Sequence, residues 1–177
     1  TNTGSNGQQY RSNGAGGGSW VSSGDFASVH LGAATDNAAA TTLTAQDTWY
    51  PIAGTWVVGP QDIMTGATTG LITCTTAGTY SIEASMSIIA STSGDTFNFS
   101  LLVDGAYVAA TPRIRRKIGT GGDVGAMSIH HVITVTAGQT LGIGAAALTA
   151  EGADAPPAGT TVTVENASFS GTLLISS

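Results

Sequence analysis

The stretch Thr79-Tyr80-Ser81-Ile82-Glu83-Ala84-Ser85-Met86-Ser87-Ile88 decides the fold class. Tyr80, Ile82, Ala84, Met86 and Ile88 occupy every second position, and Thr79, Ser81, Glu83, Ser85 and Ser87 fill the gaps. Successive side chains of a β-strand point to opposite faces, so this pattern predicts a strand with one apolar and one polar face. A helix would mix the two sets on every face. The alternation recurs in Phe97, Phe99, Leu101 and Val103 against Asn98, Ser100 and Leu102. It returns in Met127, Ile129, His131, Ile133 and Val135, and in Leu141, Ile143, Ala145 and Ala147. Val162 and Val164 come next, then Phe169, Leu173 and Ile175; Asn166-Ala167 shifts the phase between the two sets and predicts a bulge.

Turn signals separate these runs: Ala77-Gly78, Ser93-Gly94-Asp95, Asp104-Gly105, residues 119–125, Ala137-Gly138 and residues 153–159. Residues 25–48 show no helical stripe, so an extended lead-in is favoured there over a short helix at 36–45. Many short strands with regular turns predict an all-β jelly-roll β-sandwich. At 177 residues the chain is long enough for one such domain and an arm. Residues 1–24 are rich in Gly, Ser and Asn, a composition that builds no core of its own. The expected organisation is an extended Gly/Ser/Ala-rich attachment arm over residues 1–40 and a jelly-roll head over residues 41–177. Tyr10, Arg11 and Trp20 are the large side chains of residues 1–24 and are expected to contact a partner, unless they fold back on the head.

Composition excludes several functions. Charged residues make up 9% of the chain and the net charge is −6, so the broad basic surface of a nucleic-acid binder is missing. No apolar run approaches the ~20 residues of a membrane-spanning helix, and no membrane partner is expected. Cys74 is the only cysteine, which rules out an intramolecular disulfide and a multi-thiolate zinc site. There is no G-x-S-x-G elbow and no H-E-x-x-H pair, and the carboxylates are scattered singly. Lys117, the only lysine, follows no glycine-rich phosphate loop. Neither catalysis nor a cofactor or metal is expected. His130 and His131 are adjacent on a strand and point to opposite faces, so one ion could reach both only with difficulty. Three copies of one of them around a threefold axis would be another matter.

Arg113-Ile114-Arg115-Arg116-Lys117 holds four of the five basic residues. On a strand, Arg113, Arg115 and Lys117 share one face. Two readings have equal standing: contact with an acidic partner, or pairing with carboxylates of the head itself.

The closing run Ala167-Ser168-Phe169-Ser170-Gly171-Thr172-Leu173-Leu174-Ile175 resembles the last strand of the globular head of the complement C1q family, S-F-S-G-F-L-L. Three further pieces follow the family's order. Ala77-Gly78-Thr79-Tyr80-Ser81-Ile82 resembles its P-G-x-Y-x-F strand, and Ser100-Leu101-Leu102-Val103-Asp104-Gly105 its s-L-x-x-N-G hairpin. Val135-Thr136-Ala137-Gly138-Gln139-Thr140-Leu141 resembles its L-x-x-G-D-x-V step, with Gln139 in place of Asp. Thr172 stands where the family has an aromatic. The resemblance, over residues 49–177, implies the jelly roll shared with tumour necrosis factor and a tight homotrimer. It makes Tyr80, Phe97, Phe99 and Phe169 candidates for the trimer interface or the core.

Residues 7–20 are similar to a G-Q-x-L-x-S-N-G-x-G-x-x-x-W segment of bacteriophage fibre and other virion surface proteins. Together the two resemblances imply a non-enzymatic virion structural protein, a trimeric capsid decoration or head-fibre protein located at the virion surface. Its partners would be its own copies and the major capsid protein or another virion protein. The alternative is the receptor-binding tip of a tail or head fibre, with loops 119–125 and 151–159 recognising a host surface glycan.

Overall fold

The computed structural model describes residues 8–12, 18–22, 26–32, 35–119 and 124–176. Among them run the strands β1 (Gln8–Ser12), β2 (Gly18–Ser22), β3 (Phe26–Leu31), β4 (Ala40–Leu43) and β5 (Trp49–Pro51). Next come β6 (Val57–Gln61), β7 (Thr65–Gly66), β8 (Ile72–Thr73), β9 (Gly78–Ala90) and β10 (Thr96–Val103). The last are β11 (Ala106–Tyr107), β12 (Arg113–Lys117), β13 (Gly125–Val135), β14 (Thr140–Ala146) and β15 (Thr160–Ser176). A short 3-10 segment, Thr149–Asp154, joins β14 to β15.

Two antiparallel sheets form the sandwich. The first has the order β13-β9-β15-β3-β6, with β4 also paired to β15. The second has the order β11-β10-β14-β8-β7, with β12 also on β10 and β5 also on β14. The fold is the jelly-roll sandwich that the alternation predicts. The apolar halves of the period-2 runs meet between the sheets: Tyr80, Ile82 and Ile88 of β9, Phe97, Phe99 and Leu101 of β10, and Val162 and Phe169 of β15 are all buried. Each such side chain contributes about 1.5–3 kcal/mol by leaving water. The Tyr80 hydroxyl donates to the Thr76 carbonyl at 2.6 Å, so its one polar atom enters the core partnered.

Turn chemistry fixes the register. Asp104 and Gly105 both have positive φ, 51° and 76°, in the two-residue turn between β10 and β11. The Asp104 carboxylate accepts from the Thr140 N–H at 2.8 Å and from Gln139 Nε2 at 3.0 Å. It thereby ties this turn to the one between β13 and β14. The Thr140 backbone bond, then Gln139, hold the Asp104 carboxyl below the usual carboxylate range. Gln139 brings an N–H donor to Asp104; a second carboxylate there would repel it.

The phase shift expected at Asn166-Ala167 is a register shift of β15 against β9 between Val164 and Asn166; a second shift lies between Leu173 and Ile175. Residues 36–45 are extended, with β4 inside them. The expected arm over residues 1–40 needs a correction. Phe26–Leu31 is a strand paired with both β15 and β6, and Ala27, Val29 and Leu31 are buried. The head therefore begins at Phe26, not at residue 41. Three small-to-medium apolar residues in an Ala- and Ser-rich context carry too little contrast to mark a strand on their own. Upstream, β1 and β2 form an antiparallel hairpin with Tyr10 opposite Trp20 and Arg11 opposite Ser19.

Candidate functional site

The outward face of the first sheet is a lattice of small polar side chains. Cross-strand pairing of β3, β15, β9 and β13 sets the rows. The first row is Phe26, Thr172, Ser81 and Val132; the second is Ser28, Ser170, Glu83 and His130. The third is His30, Ser168, Ser85 and Ser128, and the fourth holds Asn166, Ser87 and Ala126. These residues are exposed or half-buried. Glu83 is the one carboxylate in the four rows and stands opposite His130. His130 Nε2 lies 3.4 Å from the Ser81 hydroxyl. Two shallow grooves cross the face, one past His30, Ser85, Ser87 and Ser168, the other past Glu83, Ser128 and His130. Apolar groups mark one end: Phe26 is 39% exposed and Val132 48%, while Leu174 and Ile175 extend the patch along β15.

Strand β13 closes this sheet as an edge. Its eleven residues pair with β9 on one side only, and they contain no Lys, Arg, Asp, Glu or Pro. Soluble proteins guard long edge strands with charge, proline, bulges or a covering element, because an unpaired row of N–H and C=O groups recruits other chains. Here, among the described residues, Arg116 lies against the Gly125 end, and the rest of the strand carries no such guard. What the face and edge offer is close, hydroxyl-rich contact, with little charge to desolvate.

The outward face of the second sheet differs, because the chain covers it. Thr111 and the Pro112 carbonyl bond the Ser100 hydroxyl, Trp49 of β5 stacks on Tyr107 of β11, and Thr149–Asp154 is held by three polar ties, two of them to β12. Asp47, itself at positive φ, accepts from the Thr149 hydroxyl at 2.8 Å and the Thr149 N–H at 2.9 Å. These two bonds, the hydroxyl's first, hold the Asp47 carboxyl below its ordinary value. Arg115 pairs with Glu151 and Lys117 with Asp154, each at 2.8 Å. Two of the three cations on this face of β12 are therefore occupied within the head. Arg113 is exposed and makes no ion pair among the described residues, whereas Arg116 points to the other face beside Gly125. Loop 151–159 is tied down further by Gln46 Nε2 on the Pro156 carbonyl at 2.8 Å. Residues 120–123 of loop 119–125 lie outside the described residues.

Beneath this cover β10 is buried on both faces. Ser100 and Thr111 bond each other at 3.0 Å, but Asn98 is fully buried with neither amide atom hydrogen-bonded. Tyr80, Phe97, Phe99 and Phe169 are each 0% exposed in the single chain. They pack the sandwich core and present no surface to a second copy. Cys74 is buried as well; burial first, and the Asp104 charge second, push its thiol up to about 12. A thiol so reluctant to ionise is no nucleophile at neutral pH. His130 and His131 point to opposite faces, His130 into the bare lattice. The side chains of Tyr10, Arg11 and Trp20 lie outside the described part of the structure.

The sequence displayed the polar half of every alternation, but gave no signal for which sheet face stays bare. It also missed Ser28 and His30, whose strand was assigned to the arm.

No family model matches the chain, and no curated protein does. Solved structures match over most of its length. The globular domain of the zebrafish complement 1qA protein shares 15% identity at a TM-score of 0.54, covering 86% of this chain and 99% of that one. Eiger TNF from S. frugiperda shares 14% identity at a TM-score of 0.52, over 86% and 95% of the two chains. Murine APRIL shares 9% identity at 0.52, over 84% and 99%. These likenesses show a fold of the C1q and tumour-necrosis-factor type.

Proposed function

We propose that this chain is a non-enzymatic structural protein whose head assembles as a homotrimer through the bare face of β13-β9-β15-β3 and the edge of β13. The observation that carries this is the contrast between the two sheets. On one outward face β10 is buried under the chain's own side chains, and the other is left open beside an eleven-residue edge strand with no charge or proline. A cyclic trimer buries both, because the edge of each copy meets the face of the next in a heterologous contact that closes. The C1q and tumour-necrosis-factor resemblance supports the threefold choice.

The particle we infer is a bacteriophage virion, with the protein at its surface as a capsid decoration or head fibre. Residues 1–25 attach it to the major capsid protein or another virion protein, and three arms on one trimer multiply a weak attachment into a firm one. The support is the likeness of residues 7–20 to virion surface segments, together with a chain that is only 9% charged.

Light scattering on the purified protein tests the assembly. A mass near three times 17.5 kDa is expected, and a single-chain mass at micromolar concentration overturns the trimer. Co-sedimentation with capsids tests the attachment. The full chain should pellet with them and a chain starting at Phe26 should not; equal pelleting overturns the role of the arm.

A further inference from the structure

All three histidines of the chain lie in the sheet that carries the bare face: His30 on β3, and His130 and His131 on β13. His30 sits half-buried in the row His30, Ser168, Ser85, Ser128, at the lip of a groove. On the β15 side its neighbours in that row are serines, and on the other side it pairs with Val57 of β6. Glu83 of β9 is one row away and stands opposite His130 of β13. From β15 the outward residues Ser168, Ser170 and Thr172 bring no charge. Farther out, Asp36 accepts from Asn166 Nδ2, Glu165 sits at the β15 register shift, and Asp62 follows β6.

We propose that His30 makes assembly of the head pH-sensitive: a second copy seated on this face admits the neutral imidazole and rejects the imidazolium. This rests on the trimer reading above. Imidazole is the side chain that changes charge between pH 5 and 8. Covering it where it stands between Ser168 and Val57 removes the water that solvates the cation, and its row holds no carboxylate to replace that water, so burial favours the neutral ring. Assembly then releases protons, and lowering the pH opposes it. Glu83 can compensate His130, which leaves His30 as the uncompensated group.

The test is light scattering of the full chain at pH 7.5 and pH 5.0 over a concentration series. Circular dichroism at both values follows the fold, and wild type is compared with His30→Gln, His30→Asn and His130→Gln. The proposal expects a threefold mass at pH 7.5 and a folded single chain at pH 5.0 for wild type and His130→Gln. It expects a threefold mass at both values for at least one of the His30 variants. A wild type that stays trimeric at pH 5.0 overturns the pH response and leaves the trimer standing. A single chain at both values overturns the trimer and the response with it. Loss of the circular dichroism signal at pH 5.0, or His30 variants that dissociate as wild type does, overturns His30 as the sensor.

Discussion

Gly70 shows how one residue can be fixed by two independent constraints. Its φ is +80°, a region that side chains rarely adopt, and a Cβ there would lie 2.5 Å from Nε1 and Cε2 of the buried Trp56 ring. An L-residue in that conformation costs roughly 1–2 kcal/mol, and overpacking a filled site costs about as much again. Gly70→Ala should therefore lower stability by about 2–4 kcal/mol, read as a fall in urea midpoint at unchanged slope. Asn98 is the opposite case, a residue that does not suit its place in the single chain. Both amide atoms are buried without a hydrogen bond, and each such group costs about 1–3 kcal/mol. Asn98→Leu, similar in volume and free of polar atoms, should raise the midpoint. A fall would reveal a bound water or other molecule satisfying the amide.

At the scale of the element, the 3-10 segment Thr149–Asp154 is held by ties of unequal weight. Glu151 keeps only 3% of its side chain exposed, whereas Asp154 keeps 47%. Removing Arg115 strands a covered carboxylate, but removing Lys117 frees a solvated one. Arg115→Gln should thus cost about 1–2 kcal/mol and Lys117→Gln under about 0.5 kcal/mol in thermal or urea unfolding. Asp47 adds a pH dependence of known sign. Its folded-state carboxyl titrates below the ordinary value because Thr149 bonds the ionised form. Its contribution is complete above the ordinary carboxylate range and is lost as pH falls through the lowered folded value. Hydrogen exchange over residues 147–154 should accelerate in wild type as pH falls below 4, beyond the intrinsic pH effect. Asp47→Asn should show faster exchange already at pH 7, and a smaller further acceleration in acid than wild type.

At the scale of the whole molecule, the two outward faces have opposite fates. The second sheet is buried by its own chain, while the first keeps an open hydroxyl-rich face. Ser85 lies near the middle of the waiting lattice and is exposed. Ser85→Lys should leave the circular dichroism spectrum and unfolding cooperativity of the head intact while reducing the light-scattering mass to that of one chain. If the mass stays threefold, the interface lies elsewhere on the head. Exposed Phe26, Val132 and Leu174 at one end of the face fit the same picture, since apolar groups at that exposure favour burial in an assembly.

The strands from Thr79 to Ile175 were legible in the sequence because period-2 alternation is a local property: Ile82 and Ile88 announce a buried face whatever surrounds them. The turns at Asp104-Gly105 and Ala137-Gly138, and the shift in β15, were legible for the same reason, since glycine and phase breaks act on the backbone where they stand. Covering is not local. Asn98 and Ser100 alternate with apolar neighbours like any solvent-facing pair, yet both are fully buried, Ser100 against Thr111 and Pro112. Ser85 alternates in the same way and stays bare. Arg115 and Lys117 read equally well as contacts for a partner until Glu151 and Asp154 are brought against them. Residues 26–31 look like arm until pairing with β15 and β6 makes them a strand. The sequence by itself determined the period, the turns and most of the apolar half of the long strands from Thr79 onward. The tertiary structure decided which polar halves are buried, which meet the chain's own carboxylates, and which stay exposed. Those outcomes depend on contacts between residues far apart along the chain, which no window of sequence contains.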